Sequence, residues 1–283
     1  MLSTDLISIV ITTYNRADAL WCVLRALEAQ TDKHFEVIVA DDGSSPAHVA
    51  KTQAALPSCS YPATHVWHPD VGFTAAKVRN LGVAAARGNY LILLDGDCVP
   101  EVDFVARHRS LAAPRCFTNG SRVLLSKAFT NIVLAGGSGL TGCSLPAWIM
   151  RRIRGQCSKV SGALRLPDFG GRRQENFKWK GIRSCNMALY KADYVAVNGF
   201  DETFVGWGHE DADFVLRLHN AGLTRKNGFY STEVYHLWHA ESSRDMENLN
   251  AQRVRERMGS KLVRAPVGYE QSLGFPDVRI WTR

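Results

Sequence analysis

The stretch NYLILLDGDCVP, residues 89–100, runs five apolar or aromatic positions, Tyr90 to Leu94, straight into two carboxylates, Asp95 and Asp97, with one glycine between them. A continuous apolar run of this length, closed by a turn signal, predicts a strand buried on both faces. Two carboxylates on one tight turn repel each other, and a divalent cation shared with a bound phosphate offsets that repulsion. By itself the triplet is equally a strand-ending turn, because Asp and Gly are favoured there for local reasons. Its surroundings decide between the two.

Upstream, ISIVITTY (7–14), FEVIVA (35–40) and ATHVWH (63–68) read as short strands. Between them ALWCVLRALEAQ (19–30) sets Leu20, Leu24 and Leu27 on one helical face, and FTAAKVRNLGVAAA (73–86) reads as a helix leading into the 90–94 strand. Apolar strands alternating with helices predict an α/β fold, a mostly parallel central sheet flanked by helices. Ligands of such sheets sit beyond the carboxyl ends of the strands. Three of those ends are polar here: TTYNR at 12–16, DDGSS at 41–45 and DGD at 95–97. Neither GxGxxG nor GxxxxGK[ST] follows the first strand, so a dinucleotide fold and a P-loop are not indicated.

Composition is that of an ordinary globular chain: 283 residues, 46% hydrophobic and 22% charged. No run of 18 apolar residues occurs, and the N-terminus lacks a basic segment followed by an apolar stretch and cleavage site. Neither a secretory signal nor a membrane span is expected, and seven cysteines without a CxxC pair read as reduced thiols in a cytoplasmic protein. The net charge of +7 concentrates between Arg115 and Arg183, which points to an anionic ligand or membrane surface as readily as to a solvated loop region.

Downstream, NGFDETFVGWGHEDADF (198–214) places Glu210, Asp211 and Asp213 after a Gly-Trp-Gly turn, at the start of a helix. Acidic residues in a first helical turn complement the macrodipole and need no ligand to explain them. Capping does not require Trp207 between two glycines. An aromatic ring beside paired carboxylates suits a sugar, with the ring stacking on its C–H face and a carboxylate taking a hydroxyl proton. Further on, EVYHLWHAES (233–242) holds His236 and His239, which meet one metal if the chain turns between them and face apart on a strand.

Taken in order, SIVITTYNR, VIVADDGSS, the 72–100 segment and NGFDETFVGWGHEDADF resemble the family 2 type of GT-A glycosyltransferases, and the second half is similar to the carboxy-terminal region of β-1,4-galactosyltransferases and chondroitin-type polymerases. The resemblance covers residues 5 to about 110 and 180 to 255. It implies that Asp41 and Asp42 contact the base and ribose of a nucleotide, with Thr13, Tyr14 and Arg16 lining the same pocket and Arg79 and Asn80 matching the family's "RN" helix. It also implies that Asp97 binds a metal directly, that Asp95 reaches the ribose or donor sugar, and that His239, with His236 in place of the family's methionine, completes the metal site. Asp211 matches the base that deprotonates the acceptor, Glu210 holds sugar hydroxyls, and Trp207 lines the donor site. The implied reaction is inverting transfer from a nucleotide diphosphate sugar, such as UDP-Gal, UDP-GalNAc or UDP-Glc, to a glycan or lipid-linked glycan, assisted by Mn²⁺ or Mg²⁺, in bacterial surface polysaccharide synthesis.

Three regions are expected: a nucleotide-sugar half at 1–113, a basic insert at 114–180, and an acceptor-binding, catalytic half with a helical carboxy-terminal region at 181–283. In the insert, Leu145, Trp148, Ile149 and Ile153 form one apolar face beside Arg151, Arg152 and Arg154, either packed on its own domain or docked on an anionic inner membrane. The polar run AESSRDMENLNAQRVRERMGSK (240–261) is either a solvated helix or a segment that orders over bound donor. A sugar nucleotidyltransferase would need a glycine-rich phosphate loop after the first strand. A processive synthase would need membrane spans and a QxxRW motif, and a nucleic-acid partner a recognised binding motif. A non-catalytic carbohydrate-binding protein on a transferase fold is the remaining alternative.

Overall fold

The computed structural model describes residues 4–240 and 243–282. The first part alternates as expected: β1 (Ile7–Thr13), α1 (Ala17–Glu28), β2 (Phe35–Asp41), α2 (Pro46–Ala55), β3 (Ala63–Trp67), α3 (Ala75–Ala85) and β4 (Tyr90–Asp95). Then come β5 (Cys98–Pro100), α4 (Phe104–Leu111), β6 (Cys116–Asn119), β7 (Ser121–Leu124), α5 (Lys127–Leu134), α6 (Leu145–Ile153) and β8 (Arg173–Gln174). The last part holds β9 (Asn186–Tyr190), α7 (Lys191–Ala196), α8 (Glu210–Asn220), β10 (Thr224–Asn227), β11 (Glu233–His236), α9 (Glu247–Met258), α10 (Tyr269–Ser272) and β12 (Arg279–Thr282).

Nine strands form the main sheet in the order β12-β3-β2-β1-β4-β9-β6-β10-β8. β3, β2, β1 and β4 are mutually parallel, β9 reverses between β4 and β6, and β6 pairs in parallel with β10. The side-chain period of two divides the core between the faces. Ile7, Ile9 and Ile11 pack with Leu20, Val23 and Leu27 of α1, whereas Val10 and Ile38 face Val78 and Leu81 of α3 and, further along, Phe214 and Leu218 of α8. Helix α3 lies close to the sheet because of Gly82, where a Cβ would come within 2.6 Å of Val10 Cγ1. Any larger residue there would lift the helix that carries Arg79.

The segment 114–180 is not the separate insert that its charge indicates. Its strand β6 is fully buried inside the main sheet between β9 and β10, and β7 joins β5 and β11 in a second, three-stranded sheet. Strands of four residues carry too little periodicity to stand out from a sequence. Helix α6 also divides differently. Trp148 turns into the core and stacks on Tyr235 with centroids 4.4 Å apart, while Arg151 lies over its ring at 4.6 Å. Leu145, Ile149, Met150 and Ile153 remain exposed, the last at 73%. All seven cysteines are free thiols. Among the described residues, no helix is long and apolar enough to cross a membrane.

Candidate active site

The acidic triplet sits where β4 ends, as its spacing predicts. Gly96 donates its N–H to Thr12 O at 2.7 Å, and a Cβ on it would meet that same oxygen at 2.9 Å. The glycine is what lets the turn lie against β1. Asp95 accepts from Thr12 Oγ1 at 2.8 Å and from Arg79 at 3.3 Å.

Asp97 points away from Asp95, toward β11. The antiparallel pairing of β5 with β11 sets His236 opposite Cys98, and Leu237 donates its N–H to Asp97 O at 2.9 Å. His236 Nε2 then lies 3.7 Å from Asp97 Oδ1, and His239 Nε2 lies 3.2 Å from Oδ2. The turn after the strand therefore brings both histidines to one carboxylate. His239 Nδ1–H donates to Ala240 O at 2.7 Å, which leaves Nε2 turned to the Asp97 carboxylate. Burial, partly offset by Asp97, holds the His236 pKa below its usual value, which favours its neutral ring. One carboxylate and two imidazoles fit a divalent cation of the manganese kind. Cys98 also lies near, its Sγ 3.6 Å from Asp97 Oδ1. Burial, with Cys185 beside it, pushes that thiol well above the ordinary range, so it donates to Asp97 and His239 is the better third ligand.

The other wall of the cleft comes from the second half. Gly206 and Gly208 adopt positive φ angles of 76° and 107° around Trp207, and His209, itself left-handed at 71°, leads into α8. Glu210 is held by Arg79 at 3.0 Å, so one buried guanidinium joins Glu210 to Asp95. Asp211 lines the cleft beside Trp207, Trp179, Phe73, Arg122 and Arg183. Burial, then the adjacent Glu210, raises its pKa to about 7, against the opposing pull of Arg79 and the N–H groups of Ala212 and Ser184. A carboxylate poised there exchanges a proton near neutral pH.

The structure separates the remaining expected residues. Thr13, Tyr14 and Arg16 lie together at the end of β1, with Tyr14 OH donating to Asp70 at 2.9 Å and Arg16 paired with Asp18 at 3.1 Å. Asp41 is fully buried, accepting from Ser44 N–H at 2.8 Å and sitting 3.0 Å from His65 Nε2, so it offers a ligand no surface here. Asp42 is likewise engaged, by His68 at 3.0 Å and by Thr74 N–H at 2.9 Å. Asn80 is corrected outright. It faces away from the cleft, accepting from Tyr194 OH at 2.6 Å and Phe200 N–H at 3.0 Å and donating to Glu202 at 2.8 Å, and so pins the 198–202 turn to α3. Asp213, in the same acidic run as Asp211, points inward to Arg217 and Arg257 at 2.8 and 2.6 Å.

Sequence reasoning missed Phe73, Arg122, Trp179 and His209 in the cleft wall. Trp179 stands in the run FKWKGIR, where its neighbours' charge masked an aromatic beside the site. Residues 240–261 divide in the structure. Residues 241 and 242 lie outside the described residues, α9 is a helix, and Arg244 lies over Trp207 at 5.0 Å.

Residues 8–113 match the family described as Glycosyl transferase family 2. That stretch of the chain is of the glycosyltransferase family 2 type. Residues 172–240 match a second family, described as the N-terminal domain of galactosyltransferase, and that span contains Glu210, Asp211, His236 and His239. The chain is similar to chondroitin synthase of Escherichia coli, at 30% identity over 265 residues, covering 84% of this chain and 35% of that protein. It is also similar to validoxylamine A glucosyltransferase of Streptomyces hygroscopicus subsp. jinggangensis, at 30% identity over 229 residues, 77% of this chain and 52% of that one. The chain thus spans between about a third and a half of these relatives' lengths. The crystal structure of S. aureus TarS 1-349 in complex with UDP shares the fold, with a TM-score of 0.54 at 15% identity, covering 94% of this chain and 68% of that one.

The raised Asp211 pKa has a stability consequence. Between the ordinary carboxylate value of 3.8 and about 7 the folded protein holds a proton that the unfolded chain has lost, so folding weakens as pH rises through that window. Urea melts between pH 5 and pH 8 should show stability falling with pH in the parent and a flatter profile in Asp211→Asn. Equal slopes would remove the buried proton from Asp211.

Proposed function

We propose that this chain is an inverting, metal-dependent glycosyltransferase that moves a sugar from a UDP-sugar to a glycan hydroxyl in bacterial polysaccharide synthesis. The observation that carries the reading is Asp211, a carboxylate poised near neutrality in a cleft that Asp95 also lines, with Asp97, two residues on from Asp95, beside His236 and His239. The named activities of the relatives and the UDP bound to TarS support the donor class.

In this reading Asp211 takes the proton of the acceptor hydroxyl as its oxygen bonds to the anomeric carbon and the bond from that carbon to the diphosphate oxygen breaks, releasing UDP. Attack from the face opposite the leaving group inverts the anomeric centre. A double displacement would need a free carboxylate beneath that carbon, and Glu210 is held in its ion pair with Arg79. Asp97, His236 and His239 would hold Mn²⁺ or Mg²⁺, which supplies positive charge to the leaving diphosphate. Arg79 keeps Asp95 and Glu210 in place for the ribose and the sugar hydroxyls, and Trp207 offers a ring face to the sugar. The stripe of Leu145, Ile149, Met150 and Ile153, flanked by exposed Arg152 and Arg154, supports peripheral docking on an anionic membrane face.

Calorimetric titration of UDP, then GDP and dTDP, should show binding of UDP that needs Mn²⁺. Absence of any nucleotide binding would favour a non-catalytic carbohydrate-binding protein. In His239→Ala the Mn²⁺ concentration required should rise by roughly tenfold or more, and an unchanged requirement would take His239 out of the ligand set. Asp211→Asn should lower transfer by about a hundredfold to ten-thousandfold with UDP affinity essentially unchanged. A parallel loss of UDP binding would contradict its role as base. For the membrane face, co-sedimentation with phosphatidylglycerol vesicles should be lost in Ile149→Asp/Ile153→Asp, and a parent protein that stays in the supernatant would refute docking.

A further inference from the structure

Three arginines line the cleft, and they are not equivalent. Arg79 is matched by Asp95 and Glu210. Arg122, on β7, has its Nε buried without a partner among the described residues, and its one side-chain contact is NH1 to the sulfur of Cys185 at 3.9 Å, a weak acceptor. The guanidinium of Arg183 makes no hydrogen bond or ion pair among the described residues, its backbone N–H alone being engaged, with Asn119. A third cation, Lys159, stands near both, held by Ser121 and lying 3.9 Å from the buried Glu233, and their repulsion adds to burial in lowering its pKa. Asp95 attracts Arg122 from beyond ion-pair distance, and neither Arg122 nor Arg183 has a carboxylate partner within ion-pair reach among the described residues, an arrangement that is costly unless an anion joins them.

Position says which anion. The nucleotide end of the sheet is formed by β1, β2 and β3, whereas Arg122 lies beyond β4, on the small sheet that carries His236. Arg183 immediately precedes Ser184, which lines the cleft together with Asp211. Both arginines therefore line the cleft that Asp211 faces.

We propose that Arg122 and Arg183, with Lys159 behind them, form a subsite for a carboxylate or phosphate carried by the acceptor sugar, so that the enzyme selects an acidic acceptor over a neutral one. The planar fork of each guanidinium matches either group bidentately. This inference rests on Asp211 marking the acceptor side, and the test keeps the two readings apart.

With UDP and Mn²⁺ present at saturation, binding of glucuronate, glucose 6-phosphate and glucose is measured by calorimetry. One acidic sugar should bind the parent about tenfold or more tighter than glucose, and which of the two wins identifies carboxylate or phosphate as the group. That preference should disappear in Arg183→Gln and in Arg122→Gln and be partly restored in Arg183→Lys, with the affinity for UDP unchanged in all three. Arg183 is partly exposed and unpartnered, so its variants keep the fold if either Arg122 variant does not. Equal binding of glucose and the acidic sugars by the parent would overturn the proposal, as would a loss of UDP affinity in Arg183→Gln, which would assign the cluster to the donor's diphosphate. Failure of the parent to bind UDP at all would instead sink the transferase reading on which the proposal stands.

Discussion

The site depends on one buried cation. Arg79, from α3, is shared by Asp95 at the end of β4 and Glu210 at the start of α8, two carboxylates contributed by opposite halves of the chain. Removing one partner from a buried ion pair typically costs about 3–5 kcal/mol, because a charge is left uncompensated. Here the loss of Arg79 would strand two like charges facing each other across the cleft. The position of the guanidinium in turn rests on the close seat of α3 at Gly82, and the next residue, Asn80, fastens the turn that leads toward the Gly-Trp-Gly segment. The adjacent pair Arg79 and Asn80 thus joins the two halves from one helix: one side chain works toward the cleft and the other away from it.

A second joint is made by strand pairing. The three-stranded sheet β5-β11-β7 contains too few residues to form a core of its own, and Tyr235 anchors it by stacking on Trp148 of α6. What it achieves is register. Pairing His236 with Cys98 places the imidazoles beside Asp97, the residue just before β5, with the ring centroids of His236 and His239 5.1 Å apart. The acidic turn and the histidines are far apart in sequence, and this ladder converts that separation into one donor set.

Electrostatics divides the cleft by function. Just before β5, the Asp97 carboxylate faces the imidazoles of His236 and His239. At its centre Arg79 balances Asp95 and Glu210, and the surplus of negative charge falls on Asp211, which responds by keeping its proton to about pH 7. Along the same cleft Arg122 and Arg183 make no ion pair among the described residues. A chain of net charge +7 thereby spends part of its excess at the site rather than only on its surface.

Much of this was legible without coordinates. The apolar runs at 7–14, 35–40, 63–68 and 90–94 specify strands, because only a doubly covered sheet hides so many consecutive apolar side chains, and the charges at their ends mark the rim where ligands bind. The Gly-Trp-Gly turn and the acidic helix start are local signals of the same kind. The tertiary structure alone decided how those charges are used. Asp41 and Asp213 carry the same carboxylate as Asp97 and Asp211, yet the first pair is absorbed by His65, Arg217 and Arg257, whereas Asp97 meets His236 and His239 and Asp211 lines the cleft. Likewise Trp148 belongs by spacing to the exposed stripe of α6 and by packing to the core. Pattern reports which residues share a strand end or a helical face, whereas partner, burial and therefore charge state are set by elements that arrive from elsewhere in the chain.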